Sequence, residues 1–291
     1  MSRRACILCL VLFCVIGGAE INASEESRFI RVRRDNLGNP VALESSIVRY
    51  EPADTTVERF TVDLISAVHI GEESYYRALN EEFKSYDAVL YELIAPKNAE
   101  EREGGTANPI SAVQVAMKNL LGLYFQLEAV DYQASNFVHA DMSPEEVWNS
   151  MRRREESFLR LFMRVLIFSH LKQNLSPGRP PDLANLAGLV LGASRALALK
   201  RLIAEEFADM ELMVEMIDGP EGSTLVSERN KVALRVLRQE LKRGRRRLAV
   251  FYGGAHMPDM ERRLKEGFGL QAAAVRWLTA WDLRSAPALR R

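Results

Sequence analysis

The sequence predicts an α/β fold: a mainly parallel sheet core with an N-terminal β-hairpin and an all-helical insertion. Three observations carry this reading. Residues from Phe29 to His69 alternate apolar and polar side chains; a strand–helix–strand succession follows; and the same α/β rhythm returns near the C-terminus after a long helical stretch. With 291 residues and 47% hydrophobic side chains, the chain can bury a full core. Its 39 Lys and Arg balance 39 Asp and Glu, so no global field draws it to nucleic acid, and no nucleic-acid partner is expected. The arginines at 152–154 and 243–247 read as solvated helix ends.

Residues 1–23 have the three parts of a signal peptide: Arg3 and Arg4, the apolar run ACILCLVLFCVI, then the small residues GGA, with cleavage near Ala19 or Ala23. Phe13 before Cys14 argues against lipid attachment, and retention of the segment as an N-terminal anchor is the alternative. The expectation is an exported protein, periplasmic or extracellular, with no transmembrane span in the mature chain. Cys6, Cys9 and Cys14 all lie in this leader. Cleavage therefore leaves no cysteine nucleophile or thiolate ligand, and any metal must be held by His, Asp or Glu.

The core is expected from residues 24–100 and 221–291, with the helical insertion over 101–220. FIRVRR and VALESSIVRYE form a hairpin, and VERFTVDLISAVH enters the main sheet after a PAD turn. In EESYYRALNEEF, Tyr75, Tyr76, Leu79 and Phe83 share helical spacing, and the apolar run DAVLYELI is the next strand; such a βαβ unit implies parallel pairing. NAEEREGGTANP is a polar loop leading into the insertion. Within it, Ser143, Pro144 and Glu146 make a capping box that starts a helix. FLRLFMRVLIF continues helical until NLSPGRPPDL breaks it. LANLAGLVLGASRALAL reads as a tightly packed helix, because its uncharged run is too short to span a bilayer. After the GPEGS turn come the helix SERNKVALRVLRQELKRG, the strand RLAVFY, the turn GGAH, the helix DMERRLKEGF and the strand LQAAAVRWLTAWDL.

Three polar residues sit at matching places in this scheme. His69 closes DLISAVH, Glu92 lies near the end of AVLYELI, and His256 follows LAVFYGGA. In an open parallel sheet the crevice beyond the carboxyl ends of the strands is where ligands bind. An ionised Glu92 among Val89, Leu90, Tyr91, Leu93 and Ile94 requires a cation or proton donor opposite it. Arg229 begins an apolar helical stripe with Ala233, Val236 and Leu237, so it points inward and can pair with Glu92 or with a substrate oxyanion. Gly253 and Gly254 permit a sharp turn or a close approach to a ligand. His139 and Asp141, just before the capping box, either reach the same site or serve as simple capping residues, and His170 reads as structural.

These residues resemble the pattern of the TraB/GumN family, which includes the Tiki-type proteases and is distantly related to erythromycin esterases and ChaN-like proteins. The pattern is two GxxH motifs, a glutamate after the first, and an arginine in a helix before the second. GGAH at 253–256 matches the second motif, Glu92 the glutamate, and Arg229 with Asn230 the arginine position; SAVH at 66–69 stands for the first motif with Ser66 in place of glycine. The resemblance covers roughly residues 57–97 and 223–264. It implies a metal-dependent hydrolase, a peptidase or esterase, acting on a peptide or small-molecule substrate. His69, Glu92 and His256 would surround a divalent metal (Zn, Mn or Co) or a catalytic water, with Arg229 stabilising the oxyanion. Glu92 is alternatively the general base. Gly253, Gly254, Asn230, His139 and Asp141 would complete the cofactor-binding shell. The rival reading is a non-catalytic envelope protein that binds a peptide or haem-like ligand; the sequence leaves the oligomeric state open.

Overall fold

The computed structural model describes residues 28–95, 121–156, 195–208, 218–219 and 221–284. Strands β1 (Ile30–Arg34) and β2 (Pro40–Pro52) form the expected antiparallel hairpin. Its turn is built on Asp35, whose carboxylate accepts the N–H groups of Leu37 and Asn39, and on Gly38 at φ +82°. β3 (Thr61–Ala67) pairs antiparallel with residues 47–50 of β2, and β9 (Leu270–Asp282) runs along the opposite edge of β2.

From β3 the sheet becomes parallel, in the order β3, β8 (Arg247–Gly253), β5 (Ala88–Tyr91), β7 (Phe137–His139). The βαβ unit is present, with helix α1 (Glu73–Phe83) between β3 and β5. Its strands are parallel but not neighbours, because β8 from the far end of the chain is inserted between them. The apolar run LAVFY is explained by that central position. Leu248, Val250 and Tyr252 enter one apolar cluster while Ala249 and Phe251 enter the other, so both faces of β8 are buried.

Helix α1 covers one face with the four residues expected, Tyr75, Tyr76, Leu79 and Phe83. The other face is covered by two helices, numbered α5 (Arg229–Lys242) and α6 (Met257–Phe268) in chain order, through Ala233, Leu234, Leu237, Met260 and Leu264. The intervening helices are α2 (Gln126–Ala129), α3 (Pro144–Arg153) and α4 (Arg195–Ala208). The capping box at α3 is complete: Ser143 Oγ accepts from Glu146 N, and Glu146 Oε2 accepts from Ser143 N.

The reading of 101–220 as all-helical is corrected at two places. β6 (Tyr124–Phe125) pairs with the short β4 (Ile70–Gly71), and β7 extends the main sheet beside β5. Strands of two or three residues are too short for a period of two to register in a sequence. The expected signal peptide, the expected loop NAEEREGGTANP, the expected helix FLRLFMRVLIF with His170, the expected break NLSPGRPPDL and residues 183–194 of LANLAGLVLGASRALAL lie outside the described residues. Among the described residues no helix is long and apolar enough to cross a membrane.

Leu248 has no exposed surface and sits on the strand that joins the two chain halves. Leu248→Ala is expected to cost about 2–5 kcal/mol, read as a lower urea midpoint for the full chain with an unchanged m-value.

Candidate active site

The parallel strands deliver their side chains to one edge. His69 follows β3 by two residues, Glu92 follows β5 by one, Asp141 follows β7 by two, and Gly253 ends β8 with His256 three residues on. The register Ala67 to Gly253, Tyr91 to Phe251 and Tyr91 to His139 aligns these ends. Arg229 opens α5 after a π-helical turn, Thr224–Glu228, whose Ser223 cap accepts from Val226 N. Asp218 ties down that turn by accepting from Ser223 N and from the hydroxyls of Ser223 and Ser227.

At the centre is a buried ion triad. Arg229 Nη2 donates to Glu92 Oε1 at 2.7 Å and to Asp141 Oδ2 at 2.6 Å, and its Nε donates to Asp141 Oδ1 at 2.9 Å. Exposure of the three side chains is 9%, 11% and 0% for Arg229, Glu92 and Asp141, so the charges interact with little screening. Asp141 is therefore a site residue, and capping falls to Ser143. Burial alone would push the Glu92 carboxyl up, but His256, Arg229 and His69 outweigh it and hold Glu92 well below the usual carboxylate range. Burial opposes the charge on Arg229 too, and Asp141 and Glu92 more than offset it, raising its pKa. One guanidinium faces two carboxylates, a surplus of one negative charge before the histidines are counted.

Both imidazoles are oriented by side-chain amides. Asn230 Nδ2 donates to His256 O at 3.1 Å and to Asp259 Oδ2 at 2.9 Å, which turns its Oδ1 to His256 Nδ1 at 2.7 Å. An amide oxygen only accepts, so His256 carries a proton on Nδ1 and presents Nε2 to Glu92 Oε1, 3.5 Å away, and to Arg229 Nη1, 3.4 Å away. His69 Nδ1 meets Gln126 Oε1 at 2.9 Å, while Gln126 Nε2 donates to Tyr132 OH at 2.8 Å. In that assignment His69 Nε2 is left facing Gly253, beside Glu92.

The two glycines serve close approach rather than backbone freedom, since Gly253 has φ −52°. A Cβ on Gly253 would lie 2.8 Å from His69 Nε2 and 3.3 Å from Glu92 Oε2, and Gly253 N donates to that same Oε2 at 2.7 Å. Gly254 is turned elsewhere: a Cβ there would collide with Ile30 Cδ1 and reach Ser66 Oγ at 3.0 Å. Ser66 lies within β3 and has no positive φ, so the strand has no need of glycine there. His139 Nε2 bonds Leu93 O at 2.6 Å and its ring meets Tyr91 edge-on, so it braces the chain after Glu92 instead of joining the ion triad.

The expected three-residue metal cage does not fit this arrangement. The donor types suit a divalent ion, but the Arg229 guanidinium occupies the cationic place beside both Glu92 Oε1 and His256 Nε2. Among the described residues no group of three His, Cys, Asp or Glu side chains is spaced to hold a metal. Arg229 likewise has its donors directed to Glu92, Asp141 and Leu225 O and against His256 Nε2, not to an open oxyanion position.

Gln126, Tyr252 and Asp259 are the members that sequence reasoning missed. Tyr252 OH donates to Ala140 O, and its ring meets that of His256 edge-on with centroids 5.2 Å apart. Tyr252 lay hidden in an apolar run, and Gln126 reaches His69 only because β4 pairs with β6, a contact with no local signature. No family model, curated protein or solved structure matches the chain.

Two outcomes are expected. Gly253→Ala will displace His69 while the fold is retained, read as a shift of the His69 imidazole resonances with an unchanged circular dichroism spectrum. The second concerns acid: Glu92 has a depressed folded pKa, so its contribution is present above about pH 4.5 and fades as pH falls towards the folded value. The stability gap between wild type and Glu92→Gln should therefore narrow as pH drops below that point, measured by urea unfolding; a gap that widens would contradict the triad.

Proposed function

We propose that the chain is an exported hydrolase on the plan of the TraB/GumN family, cleaving a peptide or ester bond. One observation carries this reading: two imidazoles with their Nδ1 atoms held by amides converge on a buried, ionised Glu92 at the carboxyl edge of the parallel strands. A merely structural histidine pair has no need of fixed tautomers, a glycine cleared for one ring and a triad of buried charge.

In this mechanism His69 is the general base. It is the exposed member, and its Nε2 is free to take a proton from water as the water attacks the carbonyl carbon. As the bond from the carbonyl carbon to the leaving group breaks, His256, between Glu92 and the Arg229 guanidinium, donates its Nε2 proton to that group; His69 then releases to solvent the proton it took and His256 regains one, which closes the cycle. Glu92 is too acidic to act as an efficient base, so it is assigned the electrostatic role of steadying His256. Arg229 keeps Glu92 ionised and in place. The signal-peptide pattern of residues 1–23 in the sequence supports export.

The test is a mixed peptide and ester library offered to the full chain, with and without chelator. His69→Ala and His256→Ala are each expected to lower kcat/KM by about 10²–10⁴-fold, and chelator to leave the rate unchanged. Equal rates for wild type and His256→Ala would sink the hydrolase reading. Loss of activity on chelation, restored by Zn, Mn or Co, would reinstate the metal site.

A further inference from the structure

On the outer side of α5 and α6, away from the ion triad, lies a groove of about 430 Å³ lined by Lys231, Arg235, Arg238, Arg262, Arg263 and Glu266. Lys231, Arg235 and Arg238 follow one another at helical spacing on α5 and are exposed. The floor is apolar: Leu234 is buried, and the Arg238 guanidinium lies 4.7 Å over the Phe268 ring while donating to Gly267 O.

Five cations here meet three carboxylates: Glu228 on Lys231, Glu266 on Arg262, and Asp259 on both Arg262 and Arg263. Two positive charges are unmatched, and among the described residues no carboxylate pairs with Arg235. Four guanidiniums line the groove, and planar guanidiniums suit the oxygens of a phosphate group.

The groove is wired to the site. Arg262 Nη2 and Arg263 Nε donate to Asp259 at 2.5 and 2.6 Å; Asp259 accepts from Asn230 Nδ2 at 2.9 Å; and Asn230 Oδ1 holds His256 Nδ1 at 2.7 Å. We propose that the α5–α6 groove binds a phosphate-bearing anion, and that occupancy draws Arg262 and Arg263 from Asp259 and so loosens the orientation of His256. Anion binding is then a brake on the site. The braking half rests on the hydrolase reading; the binding half and its effect on His256 do not.

The full chain is titrated in two arms at constant ionic strength, with inorganic pyrophosphate followed by calorimetry and with phosphatidic acid vesicles followed by sedimentation. Imidazole ¹⁵N resonances are recorded in the pyrophosphate arm. Saturable binding in either arm, weakened about tenfold or more by Arg235→Glu, is the expected result, and the arm that responds identifies a soluble anion or a lipid headgroup as the source. Arg235→Glu leaves the resting His256 resonances and the basal rate unchanged, which separates lost binding from misfolding. Binding in neither arm, or binding indifferent to Arg235→Glu, overturns the site. Saturation with pyrophosphate that leaves the His256 resonances in place overturns the coupling. Shifted resonances in a chain without activity under any condition would support the groove and count against the hydrolase reading alone.

Discussion

Arg229 is one buried guanidinium shared by two carboxylates, and the carboxyl edge of the sheet is arranged around that sharing. Glu92 and Asp141 stand at the ends of neighbouring strands β5 and β7, where two negative charges would repel in a poorly screened space. Only a cation from outside the sheet can join them, and α5 supplies it with its first residue. Removing one partner of such a group leaves uncompensated buried charge, which typically costs about 3–5 kcal/mol. The π-helical turn before Arg229, with its Ser223 cap and the Asp218 clamp, is the local structure that sets where the guanidinium enters.

The same constraint shapes the topology. β8 could have added at an edge of the sheet; instead it is central, so that Gly253 lies beside Glu92 and His256 falls between Glu92 and Asn230. Insertion of a C-terminal strand between β3 and β5 makes the site a product of both ends of the chain. His69 and Glu92 come from the first half of the core, and Arg229 and His256 from the second. The middle segment contributes Gln126 and Asp141, so the division between core and insertion does not separate site from scaffold.

The core elements were legible because their signals are long. α1 shows four apolar residues at helical spacing, β8 an unbroken apolar run, and α3 a capping box, and each formed as its pattern dictates. Glu92 and Arg229 were legible as partners because a carboxylate in an apolar strand and an arginine heading an apolar stripe each demand an opposite charge. The strand order, β6, β7 and Gln126 were not, since pairings between distant short segments leave no periodic trace. The choice of cation was ambiguous for a related reason: two histidines and a glutamate are equally the donors of a metal site and the neighbours of a guanidinium. Only the distance from Arg229 to both Glu92 and His256 distinguishes the two.

The choice of amides to orient the histidines follows from the charge balance. A carboxylate is the commoner orienting partner where an imidazolium must be stabilised. Here Glu92 and Asp141 already exceed Arg229 by one negative charge, and a carboxylate at position 230 or 126 would add another next to them. Asn230 and Gln126 fix the Nδ1 proton through a neutral oxygen, so the tautomer is specified without deepening the surplus. The carboxylate near His256 is moved one step outward to Asp259, where Arg262 and Arg263 offset it. Charge is thus concentrated beside the His256 imidazole, at Glu92, and neutralised at Asp259, which only positions Asn230.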